Sequence, residues 1–343
     1  MARTGKTTGT TVDLGRGGRV VTSYDVARQA GVSQSAVSRC FTPGASVSAR
    51  TRERIMKAAH DLGYQPNMIA RSLITKRSNL VAVIVANLGY NPEFTSTLSR
   101  AFAARGLNLL FYTLDAEADA ERVIDQLWQY RVDGVVAATH LSARHIERLA
   151  KRHVPLIFLN RASAETAINS VSCDQEEGER WLVDRLWAGG HRRFAIVAGP
   201  DTSPVSRQRV LGARERLASL GAASVDLLAG DFTYDGGRAA IAALATLPDA
   251  VICANDMMAI GCIDELRSVR GCLVPEDVSV VGFDGSSPGR WLAYDLTTVR
   301  QPTATMVEAA IDMLTARIEK PDLHSEKRVF SGELVAGGSA RLG

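Results

Sequence analysis

No apolar run in this sequence of 343 residues approaches the ~18 needed to cross a bilayer, so a membrane-spanning helix is excluded. Residues 1–19 carry Arg, Lys, Thr and Gly but no apolar stretch, so no secretory signal is expected there. Cysteine is sparse: Cys40, Cys173, Cys253, Cys262 and Cys272 are an odd number without a Cys-x-x-Cys pair. That argues against a disulfide framework or a zinc site and for a reduced, cytoplasmic protein. Catalytic signatures are missing too. The chain has no Walker A loop, no Gly-x-Gly-x-x-Gly after a strand and no His-Glu-x-x-His. Its six histidines are scattered without ligand spacing. Cys173 beside Asp174 suggests a nucleophile only weakly, because a cysteine at a strand end is usually buried and inert. No catalytic residue, metal or cofactor is expected.

Charge is present but unevenly spread. Residues 1–78 hold 13 Lys and Arg against four Asp and Glu, a net of +9, and the remainder nets −6. A basic head on a larger acidic body points to a polyanion partner for the head and a separate task for the body. The plainer alternative is a solvated basic face.

Within the head, Val21-Thr22-Ser23-Tyr24-Asp25-Val26-Ala27 opens a helix with Thr22 or Ser23 at its N-cap, and Gly31 can end it in the left-handed conformation. Ser33 then caps a second helix. Gln34, Ser35, Ser38 and Arg39 share its polar face, opposite Ala36, Val37 and Cys40. Such a short, hydrogen-bonding face suits a helix in the major groove, where Arg can fork onto guanine and Gln can pair with adenine. A third helix starts at Ser48, carries Ile55, Ala58, Ala59 and Leu62 as its apolar stripe and ends at Gly63. Asn67 can cap a further short helix, which needs a partner chain or DNA to persist.

Beyond residue 79, apolar runs of strand length (80–86, 108–112, 134–138, 155–159, 194–198, 225–229, 250–254 and 278–282) alternate with amphipathic segments at 118–128, 176–187, 209–220, 235–247 and 257–269. That alternation predicts parallel sheets covered on both faces, in two lobes. Polar residues follow the runs: Asn160-Arg161, Asp174, Asn255-Asp256 and Asp284. Ligands of open α/β sheets bind at such strand ends. Asn255 and Asp256 are equally suited to capping a helix, Phe232 to a core position, and Arg161 to an ion pair between lobes.

The ordered run Tyr24-Asp25-Val26-Ala27, Ala30-Gly31-Val32-Ser33, Val37-Ser38-Arg39, Val47-Ser48, Thr51-Arg52, Gly63-Tyr64, Pro66-Asn67 and Ala70-Arg71-Ser72-Leu73 resembles the head and hinge of the lactose repressor/galactose repressor (LacI/GalR) family. In the body, Arg131-Val132-Asp133-Gly134, Gly190-His191, Ala198-Gly199-Pro200, Gly230-Asp231-Phe232, Ala254-Asn255-Asp256, Gly282-Phe283-Asp284 and Leu296-Thr297-Thr298-Val299 resemble that family's periplasmic-binding-protein-like effector domain. Cys40-Phe41-Thr42 departs from the family's usual Val-Leu-Asn-like run, at the position of an Asn-type phosphate contact.

The resemblance implies an α/β chain with an all-α helix-turn-helix head and an effector domain of two parallel α/β lobes. Expected boundaries are a basic leader (1–19), a DNA-binding domain (20–65), a hinge helix and linker (66–78) and an effector domain (79–343). Lobe one takes about 79–174 and 301–330, and lobe two about 175–300 and 331–343. The implied DNA-binding residues are Thr22, Ser33, Gln34, Ser35, Ser38, Arg39, Asn67, Ala70 and Leu73, with Leu73 wedged into the minor groove. The implied effector residues are Arg209, Phe232, Asn255, Asp256 and Asp284, joined by Arg161, Asn160, Asp174, Tyr90 and Phe94. The implied function is a cytoplasmic, ligand-responsive transcriptional regulator, a repressor of carbohydrate-related genes. It would act as a homodimer on a near-palindromic double-stranded operator, with a sugar or sugar derivative as effector. The chain shows no heptad repeat at its end, so a dimer rather than a tetramer is expected. The alternative is a sugar-class solute-binding protein that does not read DNA specifically.

Overall fold

Helix caps and apolar spacing fix the first unit of the computed structural model. The model describes residues 21–42, 44–65, 77–86, 92–114, 117–161 and 168–343. The expectations for residues 1–19, Asn67, Ala70, Leu73 and Tyr90 fall outside them. The chain divides into two units, one up to Arg77 and one from Ser78.

In the first unit, α1 (Ser23–Ala30), α2 (Gln34–Cys40) and α3 (Ala49–Leu62) enclose a small core of Val26, Ala27, Ala30, Val37, Cys40, Ile55, Ala58 and Ala59. Thr22 starts α1, its backbone N–H and hydroxyl both donating to Asp25 Oδ2 at 3.0 and 2.7 Å. Ser33 and Ser48 accept the Ala36 and Thr51 N–H groups at the starts of α2 and α3. Gly31 takes φ 62°, where a side chain is strained, and turns the chain from α1 to α2.

The second unit is built from two six-stranded sheets. The first contains β1 (Leu80–Val85), β2 (Asn108–Thr113), β3 (Gly134–Ala138), β4 (Leu156–Leu159), β5 (Asn169–Cys173) and β11 (Lys327–Phe330), in the order β11-β5-β4-β3-β1-β2. All its pairings are parallel, with Val83 opposite both Phe111 and Val136. The second contains β6 (Arg193–Val197), β7 (Ser224–Leu228), β8 (Ala250–Cys253), β9 (Ser279–Asp284), β10 (Thr297–Arg300) and β12 (Glu333–Val335), in the order β12-β10-β9-β8-β6-β7. Only β12 runs antiparallel. The central strands are Val- and Ile-rich and buried on both faces, as helix-covered parallel sheets require.

Helices α4 (Pro92–Ala104), α5 (Glu117–Tyr130), α6 (Ala143–Ala150) and α11 (Thr303–Glu319) accompany the first sheet. Helices α7 (Gln175–Ala188), α8 (Pro204–Leu220), α9 (Tyr234–Ala242) and α10 (Asp256–Ser268) accompany the second. The chain passes between lobes after β5, after β10 and between β11 and β12. β5 and β10–β12 lie outside the eight apolar runs, because they are short or interleave polar residues such as Ser170, Ser172, Lys327 and Arg328.

His191, at the turn into β6, ties the second lobe together from inside. Its Nδ1 lies 2.8 Å from the Leu186 carbonyl, so Nδ1 carries the proton and donates. Its Nε2, 2.8 Å from Ser279 Oγ, is left to accept from that hydroxyl. Burial, partly opposed by the Leu186 bond, lowers its pKa. The unfolded chain therefore binds the proton more readily, and acidification below about pH 6.5 costs folding free energy. Thermal unfolding followed from pH 8 to pH 5 is expected to show a steeper acid loss in the wild type than in His191→Gln. Parallel curves would contradict this.

Candidate functional site

Both sheets end their parallel strands at a common cleft of about 190 Å³. Lobe one contributes Val85, Ala86, Phe94, Thr95, Ala138, Leu159, Asn160 and Arg161. Lobe two contributes Ser203, Val205, Arg209, Phe232 and Asp284, and the crossover from β10 adds Gln301, Thr303 and Met306. The lobe-one wall is mostly apolar, and the charged groups gather around Arg209.

Arg209 projects from α8 with only 2% of its side chain exposed. Its Nε donates to Gln175 Oε1 at 2.8 Å, Nη1 to the Ala254 carbonyl and Nη2 to Asp284 Oδ1 at 2.9 Å. The guanidinium also stacks on Phe283, 3.8 Å from the ring centroid. Asp284 Oδ1 accepts a second bond, from Gln301 Nε2 at 2.6 Å. Gln175 donates to Asn160 Oδ1 at 2.9 Å, and Arg161 to Ser203 Oγ at 3.3 Å, so both contacts join the lobes. The buried cation is thus paired, and each of its three nitrogens donates a hydrogen bond.

Backbone strain concentrates here. Asn160, Phe232 and Asp284 have φ values of 53°, 67° and 120°, a region costly for residues with a Cβ. Gly199 makes room for the Phe232 ring, since a Cβ there would lie 2.3 Å from it. Phe232 therefore both lines the cleft and packs against the apolar cluster of lobe two.

Among the expected effector residues, Arg209, Phe232, Asp284, Arg161, Asn160 and Phe94 come together on the cleft wall. Asn255, Asp256 and Asp174 do not. Asn255 caps α10, accepting from the Met258 N–H at 3.0 Å, while its amide donates to the Phe232 carbonyl at 3.0 Å. It supports the platform from behind. Asp256 is fully buried, accepting from Thr298 Oγ1 at 2.6 Å and from the Ser286 N–H. Asp174 caps α7 through the Glu177 N–H at 2.9 Å. At a strand-to-helix turn, unpaired helix N–H groups compete with a ligand for short polar side chains, and here the helices win. Sequence reasoning missed Ser203, Thr95, Thr303 and Gln301 on the cleft wall, and Gln175, which bonds Arg209 and Asn160. Only Gln301 had left a signal, directly after the Thr-Thr-Val-Arg strand.

Glu179, one turn beyond Gln175 on α7, was also missed. Both of its carboxyl oxygens are buried without a hydrogen-bond partner. Burial pushes its pKa up to about 8, against the pull of Arg209. Burial and the facing Asp284 push Asp256 up to about 7. Cys173 is raised to about 11, chiefly by burial, which leaves no reactive thiolate at neutral pH. Among the described residues, no group of three or more His, Cys, Asp or Glu could hold a metal ion.

On the head, Ser35 and Arg39 are exposed on α2, and Gln34 and Ser38 are half-buried. Gln34 Nε2 donates to Ser23 Oγ at 3.3 Å, and the Ser33 and Ser35 hydroxyls lie 3.0 Å apart. The Thr22 hydroxyl is held by Asp25, and Thr42 Oγ1 donates to the Ser38 carbonyl at 2.8 Å.

The Glu179 carboxyl carries a pH signature. It is neutral when folded at pH 7 and ionised when unfolded, so folding takes up a proton above about pH 4.5. Its contribution to stability is complete below that pH and is lost as pH rises through about 8. Glu179→Gln is expected to unfold at a higher temperature than the wild type at pH 8, with the gap closing by pH 4.5. Equal gaps at both pH values would contradict the assignment.

Comparison with known proteins agrees with this architecture. A family model for bacterial regulatory proteins of the lacI family matches residues 22–67, and one for a periplasmic binding protein-like domain matches residues 183–340. The HTH-type transcriptional regulator CelR of Thermobifida fusca is 34% identical over 308 residues, spanning 85% of this chain and 90% of that protein. Catabolite control protein A of Priestia megaterium is 30% identical over 322 residues, 89% of this chain and 95% of that one. Among solved structures, the lac repressor dimer bound to operator and the anti-inducer ONPF superimposes with a TM-score of 0.84 at 27% identity, covering 94% of this chain and 99% of that one. The CelR–cellobiose complex gives 0.71 at 31% identity, covering 93% and 100%. With a helix-turn-helix head, two parallel α/β lobes and relatives matched over nearly their whole length, this chain belongs to the lacI family of bacterial regulatory proteins, the transcriptional regulators that bind DNA.

Proposed function

We propose that this regulator is a cytoplasmic repressor of carbohydrate-related genes, released from or driven onto its operator by a small molecule held around Arg209 and Asp284. The observation that carries the proposal is the cleft itself. A buried, ion-paired Arg209–Asp284 couple and the Phe232 ring face an apolar wall, and the lobes meet there through Asn160–Gln175 and Arg161–Ser203. Such a site suits a ligand with a polar edge and a flat apolar face, as a sugar ring has, and a purine-type ring would use the same aromatic. Similar proteins support the sugar reading: CelR was solved with cellobiose and the lac repressor with ONPF.

In this reading residues 20–65 form the DNA-binding domain, 66–78 the hinge and 79–343 the effector domain. Gln34, Ser35 and Arg39 face bases, Thr22, Ser33 and Ser38 flank them, and Asn67, Ala70 and Leu73 serve the hinge. The protein acts as a homodimer on a near-palindromic site. Ligand closes the cleft and changes the pairing of the hinges, a coupling of ~1–3 kcal/mol or about 5–150-fold in operator affinity. Catalysis forms no part of the role, and the inert Cys173 supports that. A solute-binding protein without DNA reading has the lobes, but it gives no use to the capped helices of the head.

Selection of duplexes from a random library by the purified protein, at one fixed near-physiological salt, tests the proposal. The expected outcome is a near-palindromic motif with a flexible central step. Recovery of no motif, with or without pooled sugars and purines, would move the reading to the solute-binding alternative.

A further inference from the structure

The basic residues of the head do not all have the same task. α3 begins Ala49-Arg50-Thr51-Arg52-Glu53-Arg54, and two of its three arginines, though exposed, reach back to helix ends. Arg54 Nε donates to the Ala30 carbonyl at 3.1 Å, and its Nη2 donates to the same carbonyl and to that of Gly31 at 2.9 Å. Arg52 Nη1 donates to the Cys40 carbonyl at 3.0 Å. Ala30 and Cys40 are the last residues of α1 and α2. Carbonyls at a helix C-terminus have no partner within the helix and carry the negative end of its dipole, so a guanidinium there satisfies them in hydrogen bonding and in charge. The fit is close. A Cβ on Gly31 would lie 3.1 Å from Arg54 Nη2.

We propose that Arg54, with Arg52 beside it, is a positioning residue for DNA reading: it clamps the α1–α2 turn and so sets where Gln34, Ser35 and Arg39 stand, rather than serving as a phosphate ligand. The turn is fixed from both sides. The Gly31 and Val32 N–H groups donate back to Arg28 and Ala27 of α1, and Arg54 holds the carbonyls. Ser33, which caps α2, follows directly, so an error in the turn is passed to every side chain on α2. A planar fork can satisfy two neighbouring carbonyls at once, whereas the lysine ammonium is a point charge on a flexible stem. Arg54→Lys therefore keeps the charge and removes the clamp.

The inference rests on the DNA-binding reading of α2, and the experiment separates the two. The full-length protein is titrated with the duplex enriched by the wild type and with an unselected duplex of equal length, across a salt series. If the wild type does not distinguish the duplexes, the DNA reading fails before the clamp is tested. If it does, Arg54→Lys is expected to lower the ratio of the two affinities by about tenfold. Arg54→Ala is expected to lower the ratio as far, while the slope of log affinity against log salt stays at the wild-type value. Amide exchange at Gly31 and Val32 should quicken in both variants. A phosphate ligand would instead flatten the slope by about 0.9 in Arg54→Ala and leave the ratio intact in Arg54→Lys, which overturns the proposal. A role in stability alone would weaken both duplexes by one factor and keep the ratio, which overturns it as well. Should Arg54→Ala unfold the head in a melt, the Arg54→Lys ratio decides.

Discussion

The Arg209 guanidinium, a nearly buried cation at the wall of the cleft, is the constraint around which the effector unit is arranged. A buried charge is tolerated only when its partners are complete. Here they arrive from α7 through Gln175, from the end of β8 through the Ala254 carbonyl, from the end of β9 through Asp284 and from Phe283 beneath. Each partner is tied onward, Gln175 to Asn160 of the other lobe and Asp284 to Gln301 on the crossover. Asp284 and Asn160 thus stand in a chain of contacts that runs through both lobes. The strained residues Asn160 and Asp284 belong to this same network, while the carbonyl of the strained Phe232 is held by Asn255.

Much of the scaffold was legible because it follows from local rules. Val- and Ile-rich runs bounded by polar turns marked the central strands, and Thr22, Ser33, Ser48, Gly31 and Gly63 marked the helix ends of the head. The edge strands β11 and β12 were not legible. Lys327–Phe330 and Glu333–Val335 are short, partly exposed and held by pairing with distant strands rather than by any pattern of their own. The cleft was half legible. A polar residue at a strand end can face either a ligand or the N-terminus of the next helix, and sequence does not say which. Asp284 and Asn160 face the cleft, whereas Asp174 and Asn255 cap helices. Glu179 gave no signal, since a helical Glu usually faces solvent and only packing places it under Arg209.

The same distinction applies to charge. A basic excess in the head was plain from composition, and it suggested attraction to a polyanion. Composition counts arginines without saying where their donors go. Arg39, Arg52 and Arg54 are all exposed, but Arg52 and Arg54 donate to backbone carbonyls of the fold, whereas Arg39 stands on the face that sequence spacing had assigned to bases. Part of the head's positive charge is thus engaged in hydrogen bonds of the fold.

The central claim is that occupancy of the cleft and binding of DNA by the head are linked. Thermodynamic linkage makes that claim measurable without knowing the mechanism. The probe is whichever compound from a panel of sugars and nucleosides most raises the unfolding temperature of the full-length protein. Its dissociation constant is measured with and without saturating enriched duplex, and that of the duplex with and without the saturating compound. The account predicts that the two constants change by the same factor, within about 5–150-fold. A compound that binds the cleft while both factors stay at one would contradict it.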